Sequence, residues 1–254
     1  MRRLLIAALL FGCGGDGKDL VTPDECNPLN GAGCVTPWPS SIYERDDATS
    51  ETGRRIDIPA GALPTNYGNI EVDPALYNKH DGFSSAAPLL IAFETGVDPS
   101  NLPSHKDIGV SLTDASPTVL IDMSTGELVP HFAELDSREP DRTASQALFI
   151  RSAAMLKSGT RYVAAIKKTL KAKDGGELPV SEGFSALVSD KKTSHPLLEK
   201  VRGRYPEIFA ALKNHGIEKS DLVVAWDFTT RSRTTRQADL IRILLGAHAP
   251  LRFD

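Results

Sequence analysis

Residues Leu222 to Thr229 read LVVAWDFT. Val224, Trp226 and Phe228 alternate with Ala225, Asp227 and Thr229, the period of two that sends successive side chains to opposite faces of a strand. Trp226 is therefore expected in a core rather than on a ligand platform. Upstream, short apolar runs recur at Tyr162 to Ile166, Ala147 to Ile150, Leu128 to Phe132, Thr118 to Ile121, Ile108 to Leu112 and Pro88 to Phe93 (PLLIAF). Gly, Pro, Asp and Ser separate them, and short strands at such intervals predict a mainly β fold, an all-β sandwich over residues 83–230. Asp174-Gly175-Gly176 reads as a hairpin-type turn after the Tyr162 run.

One segment breaks the strand pattern. Leu197, Leu198, Val201, Tyr205, Ile208, Phe209 and Leu212 share one helical stripe, with Pro196 near its start and Gly216 beyond its end. The spacing predicts a helical insertion at about 196–214. After the LVVAWDFT run, Arg231 to Arg236 is basic and polar, and Ala238 to Leu245 suits a second short helix in a tail or linker spanning 231–254. On the N-terminal side, Pro37, Pro39, Pro59, Pro64 and Pro74 make residues 13–82 a tether followed by a loop-rich segment. Trp38 stands between two of these prolines. It is expected to anchor the segment to the core, with a role as an exposed ligand-stacking ring as the alternative.

The 254 residues hold 29 Lys and Arg against 33 Asp and Glu, which excludes a nucleic-acid binder working by bulk charge. Arg2 and Arg3 precede the apolar run Leu4 to Phe11 (LLIAALLF), which is far shorter than the roughly 20 residues a membrane-spanning helix needs. Residues 1–12 therefore read as a signal peptide. Leu10-Phe11-Gly12-Cys13 resembles the lipobox of bacterial lipoproteins, although Phe11 stands where a small residue is usual. The resemblance implies that Cys13 is acylated and becomes the new N-terminus. The membrane partner is then reached through acyl chain, at about 0.8 kcal/mol per buried methylene, in the cell envelope at the outer membrane, cell surface or periplasm. Without residues 1–12 the chain has a formal charge of −6 and no electrostatic draw toward anionic lipid.

Assigning Cys13 to lipid leaves Cys26 and Cys34, a pair in a Pro-, Asn- and Gly-containing loop. In an oxidising compartment a disulfide is expected there rather than a metal site or a free thiol.

Motifs for chemistry are sparse. Gly82-Phe83-Ser84-Ser85-Ala86 and Gly183-Phe184-Ser185-Ala186-Leu187 each lack the second Gly of the G-x-S-x-G nucleophile elbow, and both read as turns with Phe packed inward. Ser189 to Lys192 matches S-x-x-K but reads as a solvated loop. Gly12 to Gly17 matches G-x-G-x-x-G with no strand-turn-helix unit around it. No P-loop or H-E-x-x-H occurs, and the six His are scattered, so neither a metal nor a cofactor is predicted. The densest polar group is His131, Glu134 and Asp136, expected as solvated side chains on a strand edge, with a cation or substrate site as the sharper alternative.

Several stretches together resemble the N-terminal region of large bacterial extracellular lipases, the virulence-factor lipases, and of related envelope lipoproteins. They are Cys34 to Ser40 (CVTPWPS), Asp81 to Ser84, Phe93 to Leu102 (FETGVDPSNL), Leu156 to Ile166 (LKSGTRYVAAI) and Val223 to Thr230 (VVAWDFTT). The middle part is similar to bacterial Ig-like domains. The resemblance implies an Ig-like β-sandwich preceding an α/β-hydrolase domain. The chain ends about 24 residues after Thr230, where that hydrolase would begin, so none of the family's catalytic residues has a position here. The expectation is a non-catalytic binding or spacer module of a lipid-anchored envelope protein. A lipase accessory domain, with a hydrolase domain as partner, and a polysaccharide-binding module using Trp38 are the alternatives.

Overall fold

The computed structural model describes residues 19–29, 32–138, 146–238 and 241, so Cys13, the signal segment and residues 242–254 lie outside the described residues. The first elements are an antiparallel hairpin of β1 (Glu44–Asp46) and β2 (Arg54–Ile56), followed by a single turn of helix, α1 (Ala75–Asn78). Then come β3 (Leu89–Ala92), β4 (Thr118–Asp122), β5 (Glu127–Leu128), β6 (His131–Leu135), β7 (Ala147–Ser152) and β8 (Arg161–Lys167). Three helices, α2 (Glu182–Val188), α3 (Pro196–Arg202) and α4 (Tyr205–Lys213), lead to β9 (Leu222–Thr229). Residues 233–238 are again helical.

The strands make antiparallel sheets of three, in the order β3-β7-β6, and four, in the order β5-β4-β8-β9, besides the hairpin. Leu148 and Ile150 of the first sheet share one apolar cluster with Leu120, Val163 and Trp226 of the second. Ile42, Tyr43, Ile56 and Ile58 from the loop-rich upstream segment belong to the same cluster. Trp226 is buried, as its place in the alternation predicts.

The edge strand β9 is buried at all eight positions, because neighbouring segments cover it. The Trp226 indole N–H donates to Pro39 O at 2.9 Å, and the Tyr205 hydroxyl on α4 donates to Ala225 O at 2.9 Å. Asp227 accepts from Ser41 Oγ at 2.5 Å, from Arg161 at 2.6 Å and from Arg204 at 2.6 Å. Burial pushes the Asp227 carboxyl up, but Arg204 and Arg161 outweigh it and hold it below the usual carboxylate range. An edge covered in this way offers no open ladder to another chain.

Four local expectations are corrected. Ile108–Leu112 is a 3-10 helix rather than a strand, with Leu112 exposed. The run Leu128 to Phe132 is not one strand. Pro130 has no N–H to give a ladder, and the chain leaves the four-stranded sheet after β5 and joins the three-stranded one as β6. The 196–214 stripe is two helices, because Pro206 sits in the first turn of α4, and a proline there is compatible with a helix start but not with a helix interior. Finally, Gly183-Phe184-Ser185 lies in α2, not in a turn, and Ser181 caps that helix by accepting from Phe184 N at 3.0 Å. Phe184 is nevertheless packed inward, fully buried.

Cys26 and Cys34 form the expected disulfide. Its loop seats on α2, where the Ser181 hydroxyl donates to Pro28 O at 3.1 Å and to Leu29 O at 2.9 Å. Gly183 makes the seat possible, since a Cβ there would lie 2.2 Å from Pro28 O. The Asp174 turn also forms, with Gly175 at φ 86° and Lys171 bridged to Glu177. No helix among the described residues is long and apolar enough to cross a membrane.

Candidate functional site

Trp38 docks the upstream segment onto the core and remains half-buried. Its backbone pairs with the outer edge of β3, N to Leu90 O at 2.8 Å and O from Leu90 N at 2.6 Å. Its half-buried ring meets Phe83 edge-on, with centroids 4.9 Å apart, and Tyr43 at 6.2 Å. Phe83 is fixed by a short parallel bridge to the end of β9, its N–H donating to Thr229 O at 2.8 Å and its carbonyl accepting from Arg231 N at 2.8 Å. Gly82 permits this approach, because a Cβ there would stand 2.6 Å from Arg231 N and Thr230 C.

These contacts wall a cleft of about 260 Å³ lined by Trp38, Phe83, Tyr77, His80, Ser84 and Arg231, with Ile56 and Ala87 also facing it. Tyr77 comes from α1, which Asn78 straps to the core by accepting from Ile58 N at 2.9 Å and donating to Ile58 O at 3.0 Å. Asp81, buried between His80 and Gly82, accepts from Ser232 N at 3.1 Å and from Thr235 Oγ1 at 2.6 Å. Those bonds hold the segment that carries Arg231. The cleft thus combines aromatic faces with an imidazole, a hydroxyl and a guanidinium, the mixture of apolar wall and few polar groups typical of small-ligand sites.

A second hollow of about 320 Å³ is lined by residues 85–88 and the end of β7, with Phe132, Arg151 and Met155. Arg151 stacks on Phe149 at 4.7 Å and pairs with Glu134 at 2.7 Å. Ala87 lines both hollows.

The structure does not bring His131, Glu134 and Asp136 to one point. His131 is fully buried: its Nε2 lies 2.9 Å from Thr118 Oγ1 and its Nδ1 lies 2.8 Å from Val129 O. A carbonyl only accepts, so Nδ1 carries the proton and Nε2 accepts from Thr118. Burial pushes the imidazole pKa down, more than the backbone hydrogen bonds with Val129 and Thr118 raise it. His131 is a neutral strut between β6 and β4, and the solvated-edge reading is corrected at this residue. Glu134 is exposed on the opposite strand face with Arg151. Asp136 pairs with Arg138 at 2.8 Å, and those bonds hold its carboxyl down at about 2. No group of three or more His, Cys, Asp or Glu placed to hold a metal ion occurs among the described residues.

Of the two near-elbow serines, Ser185 is exposed mid-helix on α2, with no strand leading into it. Ser84 is exposed in the Trp38 cleft, and its Oγ accepts from Ala86 N at 3.3 Å. The sequence reading singles out Trp38 and Ser84 but misses Tyr77, His80 and Arg231. Their convergence depends on Gly82 packing against β9, which no local pattern announces. Compared with family models, curated proteins and solved structures, the chain matches none.

Proposed function

We propose that this chain is a non-catalytic, Ig-like sandwich module of a lipid-anchored envelope protein, and that it binds a saccharide in the Trp38 cleft. The observation that carries the reading is the Trp38 ring itself, braced edge-on by Phe83 at 4.9 Å yet only half buried in a cleft that also presents His80, Ser84 and Arg231. A sugar ring has an apolar C–H face that lies on an aromatic ring and hydroxyls that need nearby donors and acceptors, and the cleft has both. The hollow that shares Ala87 gives room for a further unit of an oligosaccharide. Cys13 supplies the anchor in this account, and residues 83–230 with the upstream segment supply the binding body.

Three measurements test it. A glycan array probed with the mature protein is expected to show a defined set of saccharides whose signal disappears in Trp38→Ala; binding that survives the substitution contradicts the site. The rival chemistry is esterolysis, because Ser84 and His80 line one cleft. Hydrolysis of short p-nitrophenyl esters that is lost on Ser84→Ala would replace the binding module with an enzyme. For the anchor, palmitate labelling in the native host is expected to vanish in Cys13→Ser.

A further inference from the structure

On a different part of the molecule, β8 ends on a lysine whose charge is out of place. Lys167 is only 8% exposed, at a register shift between Ile166 and Lys167 where β8 leaves its regular pairing with β9. Its ammonium donates to Asp114 O at 2.7 Å, and among the described residues no carboxylate pairs with it. An ammonium has three protons to place and is costly to bury unpaired. The two nearby carboxylates do not take up the role: Asp221 accepts from Glu218 N at 2.9 Å within a capping box, and Asp114 presents its carbonyl rather than its side chain.

Lys167 lines a cleft of about 650 Å³ whose walls also carry Lys168, Lys171, His215 and Ser220, with Asp114 and Asp221 among them. His215 is oriented by its Nε2, which donates to Gly126 O at 2.9 Å. Burial pushes the Lys167 pKa down against the pull of Asp114 and Asp221.

We propose that this cleft is a binding site for a phosphate group, with Lys167 at its floor and Lys168, Lys171 and His215 around its rim. A phosphate spreads its charge over three terminal oxygens and can meet several ammonium groups at once, whereas a carboxylate offers two oxygens and one charge. The cleft is larger than one phosphate and accepts a diphosphate or a phosphorylated headgroup.

The test uses the mature chain carrying Cys13→Ser, so that no acyl chain contributes. Sodium pyrophosphate is titrated calorimetrically, and flotation is measured with phosphatidylcholine vesicles with and without phosphatidic acid. Binding is expected in at least one arm. It should weaken at least about tenfold in Lys167→Met, or about 1.4 kcal/mol, and also in the Lys168→Ala, Lys171→Ala double variant, while Trp38→Ala leaves it unchanged. Pyrophosphate binding without acid-dependent flotation assigns a free phosphorylated ligand, and flotation that requires phosphatidic acid assigns a lipid headgroup. The double variant changes half-buried or exposed positions and keeps the test decisive if Lys167→Met does not fold. Silence in both arms, or affinity unchanged in the double variant, overturns the site.

Discussion

Glu44 accepts a hydrogen bond from the backbone N–H of Thr229 at 2.6 Å, so a carboxylate from the hairpin completes the outer edge of β9. The same side chain accepts from Thr229 Oγ1 at 3.1 Å and faces Arg54 at 3.2 Å, and it is fully buried. On the same residue, Phe83 N occupies the Thr229 carbonyl. The edge is therefore finished by a side chain and a loop, and the fold depends on both.

Removing the carboxylate leaves the buried Thr229 N–H without its acceptor and Arg54 with Asp46 as its remaining ion-pair partner. Glu44→Ala is expected to cost about 3 kcal/mol in urea unfolding at neutral pH, the scale for breaking one side of a buried pair. Glu44→Gln keeps an acceptor for Thr229 and should recover part of that loss. Equal stability of Glu44→Ala and the parent would contradict the role of this edge contact.

The disulfide loop and α2 form one unit. The double Cys26→Ser, Cys34→Ser variant is expected to lose about 2.5 kcal/mol on the chain-entropy estimate for so short a loop. Gly183→Ala, which drives a Cβ to 2.2 Å from Pro28 O, should lose about 3 kcal/mol by overpacking with the disulfide intact. The two losses should add to less than their sum when combined, because both undo the same docking. Full additivity in denaturation curves would show that the loop and the helix are independent.

Acid sensitivity follows from Glu199. Arg202 beside it, with help from Thr193 against the opposing effect of burial, holds its carboxyl down at about 2 from an ordinary 4.5. Thr193 N and Oγ1 donate to it at 2.9 and 2.8 Å, which fixes the loop before α3. Because the folded pKa is depressed, the stabilisation is fully present above pH 4.5 and lost as pH falls toward 2. Melting temperatures followed through that window should fall less steeply in Glu199→Gln than in the parent, and identical slopes would remove Glu199 from the account.

Much of the β framework is legible in the sequence because it rests on short apolar runs bounded by turn residues. The LVVAWDFT run and the Tyr162 run give the paired strands β9 and β8 without any tertiary information. The β1–β2 hairpin is not legible in this way, since Glu44, Arg45, Asp46, Arg54 and Arg55 carry no apolar pattern. Ionic contacts hold it instead, Arg54 with Glu44 and Asp46, and Arg55 with Asp47. The break between α3 and α4 was encoded by Pro206 inside an otherwise continuous stripe, where the proline outweighs the periodicity. Within the candidate site, Trp38 stands out locally as an aromatic between prolines. His80 and Arg231 are separated by 151 positions in the chain and meet only through the bridge between Phe83 and Thr230.

Trp38 is the proposed ligand contact, and the chain has only two tryptophans, so its indole can be followed singly. Trp226 gives a reference, buried and donating to Pro39 O. In a nitrogen-15 correlation spectrum the two indole N–H signals can be followed while the best saccharide from the glycan array is titrated. A saturable shift of the Trp38 signal, with Trp226 unmoved, is the predicted result. An array with no saccharide bound, or a bound saccharide that leaves the Trp38 signal in place, would contradict it.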